Sequence, residues 1–400
     1  MYKKLNPYDK TLSTFKSIQE DLNKEFEENL TKKKVFLGID GFIDFLYSLV
    51  KTRKSFEKWK QFETIKDFSN RLEQISGSSG NIELILKKKT SGGFAPNNSK
   101  ALSALGIHVF LLASLGYPEI ESIYEELIQK ENVNAISIAN PGKTIGLEFN
   151  DGKLMLSDIQ ELLEINWELI LQRISKEDLI KRVEECNVLG FGYWSILPQF
   201  TNIWQKLREE IFPSIKNINK KLFFVDLADI KKRSKSEIIE MLKILQKLED
   251  QIPILLSLND QEAIDLSKAL EAVEDISPNK ANFKDFVTAG EEINKNLSLS
   301  YLVIHSPHFA TISLKNNMQH YWITEAYTSN PSYTVSAGDH FNSGVVAALL
   351  GGLSPPKAIL MGNALSAVFV RTGTSPNLGQ LRKFIKRYME YIKHDNPRFP

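Results

Sequence analysis

The segment Ser336-Ala337-Gly338-Asp339-His340-Phe341-Asn342-Ser343-Gly344 passes without a break into the apolar, helix-forming run Val345-Val346-Ala347-Ala348-Leu349-Leu350. Small residues at a helix start let consecutive backbone N–H groups turn toward an anion. The helix terminus adds about half a positive charge. Asp339 admits two readings. It either caps the first helical turn, or it is a general base beside a phosphate cradle, placed to take a proton from an attacking hydroxyl.

Outward from that segment the chain alternates short apolar runs with longer helical patterns. Strands are expected at Val35–Ile39, Val109–Ala113, Val188–Phe191, Leu222–Val225, Ile254–Leu258 and Tyr301–Ile304, with helices such as Lys176–Glu185, Ser236–Leu248 and Gln261–Ala272 between them. This rhythm predicts an α/β fold with a mostly parallel central sheet and helices on both faces. Two hairpins break it, one around Asn150-Asp151-Gly152 and one around Lys315-Asn316-Asn317. Leu12, Phe15, Ile18 and Leu22 have helical spacing, so residues 1–33 read as a helical extension docked on a main domain of residues 34–400.

Composition narrows the partners. The 50 Lys and Arg balance 49 Asp and Glu, leaving no footprint for nucleic acid or a membrane surface. A lone Cys186 excludes an internal disulfide and a cysteine-built zinc site. The most apolar stretch, Val35 to Val50, is interrupted by Asp40 and Asp44, whereas a membrane span needs ~20 mostly apolar residues. With no secretory pattern at the N-terminus, a cytoplasmic protein is expected.

The string from Tyr333 to Gly344 resembles the D-x-x-G-A-G-D-x-F-x-x-G signature of the ribokinase-like (PfkB) carbohydrate kinases, departing at Tyr333 and Ser336. The resemblance implies a ribokinase-like fold with a small β lid, Asp339 as catalytic base, and Ser336, Ala337 and Gly338 as the anion hole. Tyr333 stands where the family has an aspartate that helps organise a monovalent-cation site. Ser91-Gly92-Gly93-Phe94-Ala95-Pro96-Asn97 is similar to the family's G-G-x-x-x-N substrate segment, giving Gly92, Gly93 and Asn97 as acceptor contacts. The lesser alternative for the same segment is a strand–turn–helix junction. Asp44, with Asp40 the alternative, matches the aspartate that the family places after its first strand. Either could instead sit in a solvated turn. Asn259-Asp260-Gln261-Glu262 is similar to the N-x-x-E element, with Asn259 near the nucleotide and Glu262 placing Mg²⁺ through water. That tetrapeptide also has the form of a helix capping box. Asn363 resembles a contact beside the adenine pocket, and the glycine pair Gly190 and Gly192 resembles a cleft-lining strand end.

One segment departs from the family. His305-Ser306-Pro307-His308-Phe309-Ala310 replaces a glycine-rich phosphate loop and resembles the histidine-bearing strand end of ADP-dependent sugar kinases. His305 is therefore a nucleotide-site candidate. ATP is the expected co-substrate and ADP the alternative, while a metal pair of His305 and His308 lacks partners in sequence. Gly142-Lys143-Thr144 looks like the end of a P-loop but precedes a β pattern, so that reading is rejected.

The resemblance implies a small-molecule kinase acting on a sugar or related compound, with lid strands from about 42–49, 82–90 and 144–156. Some family lids pair, which leaves a homodimer through the lid open. The alternative from another class is a sugar- or nucleotide-binding protein of this fold without turnover.

Overall fold

A computed structural model describes residues 7–272, 283–315 and 319–399. The chain opens with α1 (Pro7–Asp21) and α2 (Lys24–Leu30), two helices where a single leading helix was expected. Asn23 divides them, because its side chain accepts from Phe26 N–H and starts a new helix. Buried Ile18, Leu22, Phe26 and Leu30 dock the pair on the body.

Strand β1 (Lys34–Ile39) runs through Asp40 and Gly41 into β2 (Phe42–Arg53), and β3 (Trp59–Gln61) follows. Helix α3 (Ile65–Ile75) and β4 (Leu84–Gly92) bring the chain back to α4 (Phe94–Ala104). Next come β5 (His108–Ala113), α5 (Glu125–Ile128), β6 (Val133–Ser137) and the hairpin of β7 (Gly142–Phe149) and β8 (Gly152–Asp158). Helices α6 (Gln160–Leu163), α7 (Trp167–Arg173) and α8 (Lys176–Glu185) lead to β9 (Val188–Gly192). After α9 (Phe200–Lys206), the pairs β10 (Leu222–Asp226) and α10 (Lys235–Glu249), then β11 (Ile254–Asn259) and α11 (Asp260–Leu270), continue the alternation. Helix α12 (Phe283–Leu297) precedes β12 (Tyr301–His305), β13 (Phe309–Leu314) and β14 (His320–Thr324). The C-terminal part is helical: α13 (Ala337–Leu350), α14 (Pro355–Thr372), α15 (Leu378–Lys386) and α16 (Tyr388–Lys393).

Nine strands form the central sheet in the order β14-β13-β12-β11-β10-β9-β1-β5-β6. They are parallel from β12 to β6, and only the β12–β13–β14 meander is antiparallel. Of the expected turn between β13 and β14, Asn316 and Asn317 lie outside the described residues. Helices α6 to α12 cover one face and α1, α2, α4, α5 and α13 to α16 the other, so the parallel strands are apolar on both sides.

The second sheet is the lid. Strand β2 pairs with β4 and β3 on one side and with β7 on the other, and β8 closes the far edge. Helix α3, which the sequence pattern did not single out, packs on it. Phe68 meets Phe62 edge-on at 5.6 Å and stacks on Phe149 at 5.8 Å, with Leu49 and Leu147 completing a small core. Burying one such phenylalanine contributes about 1.5–3 kcal/mol. Lid and body are joined at Asp40-Gly41 and Gly92-Gly93, and again on either side of the β7–β8 hairpin, which places Asp40, Gly92 and Gly93 at the hinge.

Candidate active site

The start of α4 is built across the hinge. Gly93 occupies the N-cap position with φ +95° and offers no side chain to the helix. Asp40 supplies the missing acceptor: one carboxylate oxygen takes Phe94 N–H at 2.7 Å and the other Ala95 N–H at 2.9 Å. Both oxygens are therefore engaged, and Asp40 anchors the start of the helix. Burial pushes its pKa up to about 7 against the pull of those two N–H groups. A Cβ on Gly93 would lie 2.7 Å from Asp40 Oδ2, and one on Gly92 would lie 2.1 Å from Asp44 Oδ2. The two glycines make room for two carboxylates.

Asp44, on β2, is 5% exposed and sits between Thr90 and Thr144 in register. Burial raises its pKa to about 6, while the Thr144 hydroxyl and the Lys100 ammonium draw it down. Lys100 was not singled out from the sequence. Its Nζ donates to Ser91 O at 2.9 Å. Burial lowers its pKa to about 8, opposed by Asp44 and Asp339.

Helix α13 begins at Ser336, whose φ of +70° is left-handed and suited to glycine, the residue of the signature at that position. His340 braces this turn. Its Nδ1 faces the Ser336 carbonyl at 2.8 Å and must donate. Its Nε2 then accepts from the Ser375 hydroxyl at 2.8 Å, and the ring stacks on Phe369 at 3.7 Å. Asn342 donates to Asp226 at 2.9 Å, and Ser343 donates to Asn98 at 2.7 Å. At Gly344 a Cβ would approach Gly362 Cα to 2.7 Å, so the last glycine of the signature permits close contact of α13 with α14.

Asp339 projects from the first turn of α13 toward α4 and is 3% exposed. Its surroundings are polar. Asn97 donates to Oδ2 at 2.9 Å, Asn98 to Oδ1 at 3.4 Å, and the Tyr193 hydroxyl lies 3.2 Å from both oxygens. Burial and the nearby Asp226 carboxylate raise its pKa well above the usual carboxylate range, with Asn97 pulling the other way. The sequence reading set Asp339 at a helix start beside a phosphate cradle. The structure adds Tyr193 against its carboxylate, a residue whose only sequence signal was its place directly after the Gly190–Gly192 strand end.

On the other side of the α13 N-terminus lies a cavity of about 800 Å³. Ala337 and Gly338 line it, as do Asn259, His305 and Tyr333, while Ser336 and Asp339 do not. The lid hairpin supplies Phe149 and Lys153 to the same wall. Lys88 of β4 lies over the Tyr333 ring at 4.6 Å, a second tie between lid and body. His305 packs on Phe341 at 4.6 Å, and burial drops its pKa to about 4, so it meets an occupant as a neutral imidazole. His308 packs against the Tyr327 ring at 4.5 Å.

Asn363 is a correction. It is fully buried beside Tyr388 and does not line the cavity. The neighbouring positions on α14 that do are Ser366, Ala367 and Val370. At the N-x-x-E element the structure shows the capping box. Asn259 Oδ1 accepts from Glu262 N–H at 2.8 Å, and Glu262 accepts from Asn259 N–H at 2.9 Å and from its side-chain amide at 2.7 Å. Among the described residues no group of three or more His, Cys, Asp or Glu forms a direct metal cage. Burial and the carboxylates of Asp226, Asp229 and Asp260 nonetheless raise the Glu262 pKa well above normal. These acids would suit a divalent cation held mainly by waters and phosphates.

Comparisons with known proteins place this geometry. Ribokinase from Arabidopsis thaliana, solved with ribose and ATP, superposes with a TM-score of 0.60 at 14% identity, covering 88% of this chain and 98% of that one. Ribokinase from Cryptococcus neoformans, solved with ADP, gives the same values. Adenosine kinase from Sinorhizobium meliloti gives 0.61 at 14% identity, covering 89% and 98%. These likenesses establish the ribokinase-like fold. A ketohexokinase from Haloferax volcanii is 27% identical over 388 residues, 96% of this chain and 98% of that protein. The chain is thus a carbohydrate kinase, a phosphotransferase with an alcohol acceptor. It belongs to the prokaryotic ketohexokinase family, whose model matches residues 9–388 and so takes in most of α1 and all of α2 as well as the kinase body.

Proposed function

We propose that this sugar kinase transfers the terminal phosphoryl group of ATP to a hydroxyl of a ketohexose, with Asp339 as general base. The observation that carries the reading is the placement of Asp339 one residue past Ala337 and Gly338. Those two line the nucleotide-sized cavity, while the carboxylate faces the hinge residues Asn97 and Lys100. The acceptor would lie against β4 and α4, oriented by Asp44, Asn97 and the backbone at Gly92 and Gly93. Asp339 would take the proton of the attacking hydroxyl. The N–H groups at Ser336, Ala337 and Gly338 would face the migrating phosphoryl group. Asn259 and His305 would contact the nucleotide. Glu262 would hold Mg²⁺ through water, and the ion when bound would neutralise charge on the phosphates.

ADP is the second donor to test, because the His305–Ala310 segment lacks the glycine-rich phosphate loop. No helix among the described residues is long and apolar enough to cross a membrane, and the reading places the enzyme in the cytoplasm. The exposed Leu84, Leu86, Leu154 and Leu156 of the lid support a homodimer formed through it. The test is Asp339→Asn with a panel of ketoses and aldoses and with ATP or ADP. Turnover should fall by ~10²–10⁴-fold while nucleotide binding persists. Near-normal transfer in that variant would defeat the assignment.

A further inference from the structure

We propose that Tyr193 is a plug on the base. Its hydroxyl holds the place that the acceptor hydroxyl takes at Asp339, and so restrains attack by water when no sugar is bound. The inference rests on Asp339 acting as the base. Of the groups bonded to that carboxylate, Asn97 and Asn98 donate amide N–H. Tyr193 alone presents an O–H, at 3.2 Å from each oxygen, which is the chemistry an acceptor must present.

The plug is held under strain. Tyr193 has φ +21° and ψ +75°, a region that a bulky residue adopts only when its surroundings impose it. Ser195 N–H donates to Leu227 O at 3.0 Å, and Ile196 N–H donates back to Tyr193 O at 3.1 Å. Trp194 is fixed by its indole N–H on Thr201 at 2.8 Å and by Arg233 over its ring at 4.9 Å. The Tyr193 ring meets Phe94 edge-on at 6.1 Å, on the helix that Asp40 anchors. Burial and the Asp339 carboxylate raise the phenol pKa well above normal, so the plug is a poor nucleophile.

Without the phenol, a water molecule would occupy the vacated position. Its oxygen would bond to the terminal phosphorus of the nucleoside polyphosphate while its proton passed to Asp339. The bond from that phosphorus to the bridging oxygen would break, the electron pair leaving with the shortened nucleotide, and inorganic phosphate would be released. A sugar that displaces Tyr193 fills the same space with a better-placed hydroxyl.

The experiment measures nucleotide hydrolysis without sugar, and acceptor KM, in Tyr193→Phe and Tyr193→Leu. The expected result is a ~10-fold or greater rise in hydrolysis, a lower acceptor KM, and loss of the added hydrolysis in the double variant with Asp339→Asn. Unchanged hydrolysis in a folded variant, or a raised acceptor KM without it, overturns the proposal. If neither variant folds, the wild-type enzyme is given a ketohexose lacking the hydroxyl that is phosphorylated. Stimulated hydrolysis supports the plug, and none overturns it. Transfer that survives Asp339→Asn alone would sink the base assignment. An inactive Asp339→Asn beside an unresponsive Tyr193→Phe would sink only the plug.

Discussion

The Asn97 side-chain amide donates to Oδ2 of Asp339 at 2.9 Å across 242 positions of sequence. The bond joins the first turn of α4 to the first turn of α13, and its energy falls on one catalytic candidate. A hydrogen bond to a charged group contributes about 1.5–3 kcal/mol. Asn97→Ala is therefore expected to lower kcat/KM for the sugar by ~10–100-fold. Nucleotide affinity should stay near normal, because Asn97 does not line the cavity. Steady-state kinetics with each substrate varied in turn provide the check.

The pH profile should carry the mark of a buried base. Asp339 accepts a proton only when ionised, and burial with Asp226 nearby raises its pKa well above the carboxylate norm. Activity is then lost as pH falls, with the acid limb displaced upward from the ordinary carboxylate position. Asp40, at about 7, and Asp226, at about 6, titrate in the same cluster, so the limb belongs to the group as a whole. Asn97 favours the charged form of Asp339, so Asn97→Ala should move the limb further up. A kcat/KM profile of both proteins tests the direction.

His340 gives a stability signature that also weakens on acidification, through a pKa displaced downward instead of upward. Burial pushes its pKa down to about 3 from 6.5. A folded-state pKa below the unfolded one yields stability that is present above pH ~6.5 and lost as pH falls toward 3, at up to about 1.4 kcal/mol per pH unit. His340→Phe should be less stable at neutral pH, because Ser336 O and Ser375 lose a partner. Its stability should also fall less steeply on acidification. Denaturant midpoints of the two proteins at pH 7 and pH 5 isolate the term from the carboxylates, which both share.

Gly344→Ala should destabilise the fold by about 1–3 kcal/mol, the usual cost of overpacking. Its Cβ would meet the backbone of α14, at Met361 O and Gly362 Cα, where no side chain can swing away. A lower denaturation midpoint with little change in the KM of either substrate is the expected pattern.

Much of the fold is written in local patterns. The apolar strands between helices predict the parallel sheet, and the small residues before Asp339 predict a polar helix start. Strand β6 escapes such a reading, because exposed Asn134 and half-buried Ser137 at the sheet edge leave no continuous apolar run. The choice between Asp40 and Asp44 cannot be made locally either. What distinguishes their surroundings is the start of α4, 54 residues further on, which takes both oxygens of Asp40. Asn363 misleads for a related reason. A polar residue on a helix reads as ligand-facing, yet packing turns it inward toward Tyr388. Tyr193 meets Asp339 across 146 positions, and no spacing rule announces that contact.

The β7–β8 hairpin touches both halves of the site. Thr144 at its base bonds Asp44 at the hinge, and Phe149 and Lys153 at its tip wall the cavity. With a sugar at Asp44 and a nucleotide in the cavity, the proposed reading would make the two heterotropic partners through one ribbon. Whatever factor the sugar then added to nucleotide affinity by settling that ribbon, the nucleotide would have to return to the sugar.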